Sequence, residues 1–141
     1  YYRLRDYDKA QSDVTTYRRQ KNAASSGNYE PSKYLMGYIY FSDKEYQEAQ
    51  KEFSEYILKA DPASATYADA LNRIGDCYFH ERDFSKAEKC YSQVIAIGGT
   101  GADYAIFQRS YAQGLLRRYD AKVIGMQELL RRYLTGLPVL P

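Results

Sequence analysis

Residues 68–99 read ADALNRIGDCYFHERDFSKAEKCYSQVIAIGG, and this stretch decides the fold. Leu71, Ile74, Gly75 and Tyr78 fall at i, i+3, i+4 and i+7, one stripe of an amphipathic helix. Glu81-Arg82-Asp83 is a polar break without proline, suited to a tight helix–helix turn. Phe84, Ala87, Glu88, Tyr91, Val94 and Ile95 then mark a second helix. Ile97-Gly98-Gly99-Thr100-Gly101 ends it, with glycine available for a left-handed cap. Two helices joined by so short a turn lie antiparallel. A glycine inside a helix costs about 1 kcal/mol against alanine, so Gly75 needs a packing reason. Close approach of the two backbones at Gly75 and Ala87 supplies one, with Tyr78, Phe84 and Tyr91 filling the flanks.

The same phrase recurs along the chain: an aromatic, three residues to a usually small side chain, four more to an apolar one. It reads Tyr7-x-x-Ala10-x-x-x-Val14, Tyr46-x-x-Ala49-x-x-x-Phe53, Phe84-x-x-Ala87-x-x-x-Tyr91 and Tyr119-x-x-Lys122-x-x-x-Met126. Its aromatics stand 39, 38 and 35 residues apart, the signature of stacked supersecondary units. The chain divides accordingly into a half repeat at 1–22, a polar loop at 23–30, a repeat at 31–62, a second at 66–99, a degenerate third at 102–134 and an exit segment at 135–141. In the third repeat Ser110 stands where glycine did and Lys122 where alanine did, which predicts a wider or shifted hairpin. Asp61-Pro62 stops the second helix of the 31–62 repeat. The chain opens partway through a repeat, so we expect it to be excised from a longer protein.

Of the 141 residues, 20 are basic and 18 acidic, for a net charge of +2. That balance lacks the basic footprint of a dedicated nucleic-acid binder. Arg18-Arg19, Arg117-Arg118 and Arg131-Arg132 are basic pairs rather than a patch. No run approaches the ~20 apolar residues of a membrane span. His80 is the only histidine, which removes a His-based acid–base pair and a multi-His metal site. Gly98-Gly99-Thr100-Gly101 has no lysine after it and no strand before it, so it is a helix end and not a phosphate cradle. Asp6-x-Asp8 and Asp61 lack the ring of oxygen ligands calcium needs. Cys77 and Cys90 have no metal-ligand spacing; a disulfide between them is open, but free, partly buried thiols fit better, since nothing else marks a disulfide-stapled scaffold. We expect no catalytic residue, no cofactor and no metal.

Seventeen tyrosines and no tryptophan stand out. Tyrosine has a large apolar body and a polar tip, and lines a half-wet groove as readily as a core. Tyr7, Tyr40, Tyr46, Tyr78, Tyr91 and Tyr119 fall on hairpin-facing slots. The surplus points to a contact surface.

Leu71-x-x-Ile74-Gly75-x-x-Tyr78 followed by Ala87-x-x-x-Tyr91 resembles the tetratricopeptide repeat. Lys33-x-x-Met36-Gly37-x-x-Tyr40 with Ala49-x-x-x-Phe53 and Pro62 is a second match. The resemblance implies an all-α, right-handed superhelix of about three and a half helix pairs whose first helices line a concave groove, commonly a peptide site. Carried over residue by residue, the groove would be lined by Tyr2, Tyr34, Tyr38, Phe41, Asn72, Asp76, Phe79, His80, Phe107 and Tyr111. Aromatic anchors at Tyr34, Tyr38, Phe79, Phe107 and Tyr111 would be supplemented by hydrogen bonds from Asn72 and Asp76. Tyr34 and Tyr38 occupy the slots that a chaperone-tail carboxylate clamp fills with polar and basic groups, so no such clamp is expected. Repeats of 38 to 39 residues and the phrase Tyr67-Ala68-Asp69-Ala70-Leu71 resemble bacterial envelope repeat proteins, including long multi-repeat proteins of the Bacteroidetes. The expected function is a non-catalytic scaffold for an extended peptide or partner helix, in a periplasmic or outer-membrane-associated bacterial parent. A cytoplasmic parent is the alternative compartment. Two other roles stay open: an architectural spacer that self-associates through uncapped ends, and an accessory module to a carbohydrate-binding or enzymatic parent.

Overall fold

The computed structural model describes residues 12–13 and 29–136. Apart from Ser12 and Asp13, which are helical, the half repeat at 1–22 with Tyr2 and Tyr7 lies outside the described residues. So do the loop up to residue 28 and the exit segment beyond Gly136. The described chain is all helical: α1 Tyr29–Ser42, α2 Tyr46–Lys59, α3 Ala65–His80, α4 Phe84–Ile97, α5 Ala102–Leu115 and α6 Tyr119–Thr135. Each helix packs on the next in chain order, giving three stacked hairpins and no strand among the described residues. Ala49, Phe53, Ala70, Ile74 and Cys77 form one buried cluster; Ala68, Leu71, Ala87, Tyr91, Val94 and Ala105 form the next. Ile57 and Tyr78 pack against both, so the core runs on from hairpin to hairpin.

The three hairpin turns are one motif used three times. Lys44, Arg82 and Arg117 take left-handed backbone conformations, with φ of 62°, 67° and 63°. In each, the next residue's N–H returns to a carbonyl five residues back: Glu45 to Tyr40 (2.9 Å), Asp83 to Tyr78 (2.9 Å) and Arg118 to Gln113 (2.8 Å). The left-handed residue's own N–H bonds three back, to Phe41, Phe79 and Gly114. These paired bonds satisfy the orphan carbonyls at the first helix's end and restart the chain as the second helix. Elsewhere Ser64 accepts from the Tyr67 N–H to cap α3, and Gly98, at φ 78°, closes α4.

Gly37 and Gly75 are notches for rings. A Cβ on Gly37 would stand 2.6 Å from the Phe53 ring, and one on Gly75 would stand 2.7 Å from the Tyr91 ring. This corrects the expected Gly75–Ala87 pairing: Ala87 is buried, but the group that needs the missing side chain is the aromatic four residues later. Side chains on a helix lean towards its N-terminus, so the Tyr91 ring covers the turn before its own Cα. The third hairpin solves the contact the other way round. Ser110 on α5 sits over Gly125 on α6, where an added Cβ would be 2.0 Å from Oγ, and the Lys122 stem lies across Gly114. Tyr119, assigned to a hairpin-facing slot, is instead exposed.

Candidate functional site

The first helices α1, α3 and α5 carry the sequence-predicted site residues, and their polar members are knitted together below the surface. Tyr34 donates to Asp69 Oδ2 at 2.5 Å, and Tyr38 donates to the same oxygen, tying α1 to α3. Arg73 lies between two carboxylates, with Nη1 2.7 Å from Asp76 Oδ2 and Nε 3.8 Å from Asp69 Oδ1. Its guanidinium also covers the Tyr104 ring at 4.7 Å. Asp76 accepts from Tyr91 Oη (2.5 Å), Tyr104 Oη (2.7 Å) and Gln108 Nε2 (3.3 Å), so α3, α4 and α5 meet at one carboxylate.

Asp76 is 2% exposed and Asn72 likewise 2%. Asn72 Nδ2 holds the Gly101 carbonyl at 3.2 Å, fixing the α4–α5 link. Neither side chain is placed to supply hydrogen bonds to a peptide, which corrects that expectation. The physical cause is the next first helix, whose Gly101, Tyr104 and Gln108 reach back over both residues. Tyr34 and Tyr38 are half-buried as well: Tyr38 meets the Phe53 ring edge-on at 5.2 Å, and Tyr34 lies 5.1 Å from Tyr56.

A second group of rings, with His80 and Tyr111 exposed and Phe41, Tyr46, Phe79 and Phe84 half-buried, forms a row along the turn ends of the hairpins. Phe41 meets Tyr46 at 5.4 Å and His80 at 5.9 Å, and His80 stacks flat on Tyr46 at 4.3 Å with 3° between planes. Phe79 continues the row, meeting His80 at 6.4 Å, Phe84 at 5.2 Å and Tyr111 at 5.5 Å. Phe107 and Tyr111 stand on α5 at 44% and 47% exposure. A shallow cleft of about 200 Å³, lined by Tyr111, Gly114, Leu115 and Lys122, opens beside them. Among the described residues the structure therefore brings Phe41, His80, Phe79 and Tyr111 together, leaves Phe107 outside any ring contact, ties the half-buried Tyr34 and Tyr38 to Asp69, and buries Asn72 and Asp76. Tyr46 and Phe84 are members of the row that sequence reasoning had placed in the hairpin core. Their shared position, two residues after the left-handed turn residue and first in the second helix, was the available signal.

Burial, then the hydrogen bond to a carboxylate, pushes the Tyr34 and Tyr104 hydroxyls up to about 12, and drives Tyr38 and Tyr91 up further for the same reasons. Burial opposes charge on Arg73, but Asp76 and its neighbours outweigh it, so the guanidinium holds its proton more firmly than usual. Cys77 and Cys90 are free thiols that burial raises to about 12 and about 11. A tyrosine or cysteine whose pKa is higher folded than unfolded contributes stability that is whole below the unfolded value and lost as pH climbs through the folded one. Urea midpoints should therefore fall from about pH 9, where thiols ordinarily ionise, and more steeply between 10 and 12 as the tyrosine network titrates. Midpoints that stay level from pH 8 to pH 11 would contradict a hydroxyl network that folding keeps protonated.

Among the described residues no group of three or more His, Cys, Asp or Glu side chains is placed to hold a metal ion, and no helix is long and apolar enough to cross a membrane. Residues 68–98 match the family model of the tetratricopeptide repeat, and residues 30–62 match a second model of the same repeat. Among solved structures the chain is similar to MamA protein, at 20% identity over 96% of this chain and 80% of that one, with a TM-score of 0.68. It is also similar to BtubC (BKLC) from P. vanneervenii, at 14% identity and a TM-score of 0.75, spanning 98% of this chain and 64% of that one. At these identities the likeness is one of fold. No curated protein matches the chain in sequence.

Proposed function

The chain is a tetratricopeptide-repeat protein, a class of repeat that generally mediates protein–protein interaction, and we propose that it is a non-catalytic scaffold holding an extended peptide or a partner helix along the row Phe41–His80–Phe79–Tyr111–Phe107. The observation that carries this reading is the pair Phe107 and Tyr111, large rings left almost half exposed on a first helix beside the buried network at Asp76. That network is internally paired, so the surface is stiff before a ligand arrives, and a preorganised surface loses less ordering entropy on binding. Flat, rigid rings are efficient anchors for the same reason. A second shallow cleft beside Tyr46 is lined by Lys44, Glu45, Glu48 and Glu81, while Arg82 lies over the Phe84 ring and Lys122 lines the cleft at Tyr111, so both signs of charge border the row. A ligand whose apolar side chains are the main anchors is the better match.

Peptides selected by display against the 141-residue chain provide the test. Phe107→Ala with Tyr111→Ala should weaken the selected peptides by about thirtyfold or more, the hot-spot range. The unfolding free energy should fall by only about 1–2 kcal/mol, the order of the lost Phe79–Tyr111 ring contact and partial burial, well below the cost of truncating a buried ring. Unchanged affinity in the double variant would remove the row from the binding site. The period and the phrase Tyr67–Leu71 also support a bacterial envelope setting, which fractionation of the source cell would check.

A further inference from the structure

We infer that the outer face of α6 is a self-association surface that receives α6 of a second copy of this chain, antiparallel to it. Tyr119, Val123, Met126, Leu130 and Tyr133 follow one another at steps of four, three, four and three residues along α6. That average of 3.5 is the period of an apolar seam between two paired helices. Tyr119, Val123, Leu130 and Tyr133 are each more than half exposed, as are Ile124 and Leu134 on the seam's edge.

The corresponding stripes on α2 and α4 are built differently. They read Tyr46, Gln50, Phe53, Ile57 and Phe84, Glu88, Tyr91, Ile95, with a polar second member that bridges to the following hairpin. Gln50 Nε2 donates to Tyr78 Oη at 3.0 Å, and Glu88 accepts from Gln113 Nε2 at 2.9 Å and from Arg118 at 2.5 Å. In α6 that member is Val123, and the outward Lys51 and Lys89 are replaced by Ile124. A face made for another hairpin of this type would keep the bridging group, and a face made for water would be polar. A fully apolar stripe of this period instead matches a copy of itself.

Charge sets the direction. Asp120 near the start of α6 and Arg131 near its end are eleven residues apart, about three turns, and lie on the same flank of the seam. An antiparallel second copy sets Asp120 beside the partner's Arg131; a parallel one turns this flank towards the opposite flank of the second helix and loses that pairing. The six exposed side chains leave on the order of 600 Å² open per copy, approaching the ~800 Å² per partner of a standard interface. Twofold pairing of identical faces closes on itself and gives a dimer rather than a fibre.

Sedimentation velocity on the 141-residue chain over a concentration series reads this directly. A monomer–dimer equilibrium is expected. Val123→Glu and, separately, Leu130→Glu should shift it to monomer by about thirtyfold or more in Kd with helix content retained, since both positions are exposed. Leu58→Glu, on the exposed side of α2, should leave the dimer intact. Asp120→Arg should weaken the dimer, and adding Arg131→Asp should restore it. A wild-type monomer at every concentration, a dimer that survives both glutamates, or growth into longer polymers would each overturn the proposal. Failure of the double charge swap to restore the dimer would overturn the antiparallel orientation.

Discussion

Asp76→Ala is expected to lower the unfolding free energy by about 3–5 kcal/mol, the range for removing one partner of a buried ion pair. The carboxylate is buried and accepts from Tyr91, Tyr104 and Gln108 while pairing with Arg73 at 2.7 Å. Its loss leaves a guanidinium that is itself four-fifths buried with the longer contact to Asp69 as its remaining ion pair, and strands two hydroxyls. Asp76→Asn should cost less, because an amide oxygen still accepts from a tyrosine. Urea melts followed by circular dichroism separate the two, and an alanine variant within 1 kcal/mol of wild type would mean that the network is dispensable.

Tyr91→Ala should cost about as much, some 3–5 kcal/mol for truncating a buried aromatic. The ring fills the Gly75 notch and its hydroxyl serves Asp76. The notch makes the substitution diagnostic in combination. Gly75→Leu in the wild-type chain drives a side chain into the ring and should cost roughly 1–3 kcal/mol or more. In the Tyr91→Ala background the same leucine enters vacated space, so the double variant should be more stable than the sum of the singles by ~1 kcal/mol or more. Additive costs in that cycle would mean that Gly75 and Tyr91 do not share the contact.

The repeat was legible because its period is written in small and aromatic residues at fixed offsets, and the hairpins at 29–59, 65–97 and 102–135 are those offsets made into helices. Gly75 was legible as a packing position, yet its partner was not. Sequence spacing gives the face on which Ala87 and Tyr91 lie but not the direction in which a ring leans along that face. Asn72 and Asp76 marked the first helix of the second repeat correctly and their exposure wrongly. Nothing in a single repeat's pattern reports how far Tyr104 and Gln108 of the next first helix reach back. The tyrosine surplus also has an account in those terms: Tyr34, Tyr38, Tyr91 and Tyr104 are donors to buried or half-buried carboxylates as well as apolar filler.

A linear array of repeats behaves as a one-dimensional chain of spins, each unit with its own energy and a coupling to its neighbour. In this chain the ionic cluster puts much of the energy into the couplings: Asp69 links α1 with α3, and Asp76 links α3 with both α4 and α5. Strong coupling makes boundaries between ordered and melted units rare, so the first two hairpins and α5 open as one block. The junction with α6 lacks a ring in a notch and is tied by the surface pairs Arg118–Glu88 and Arg132–Asp103, of the kind that contributes little. That junction is where such a boundary costs least. Partial melting therefore starts by α6 detaching, and anything that holds the outer face of α6 raises the threshold for the entire array.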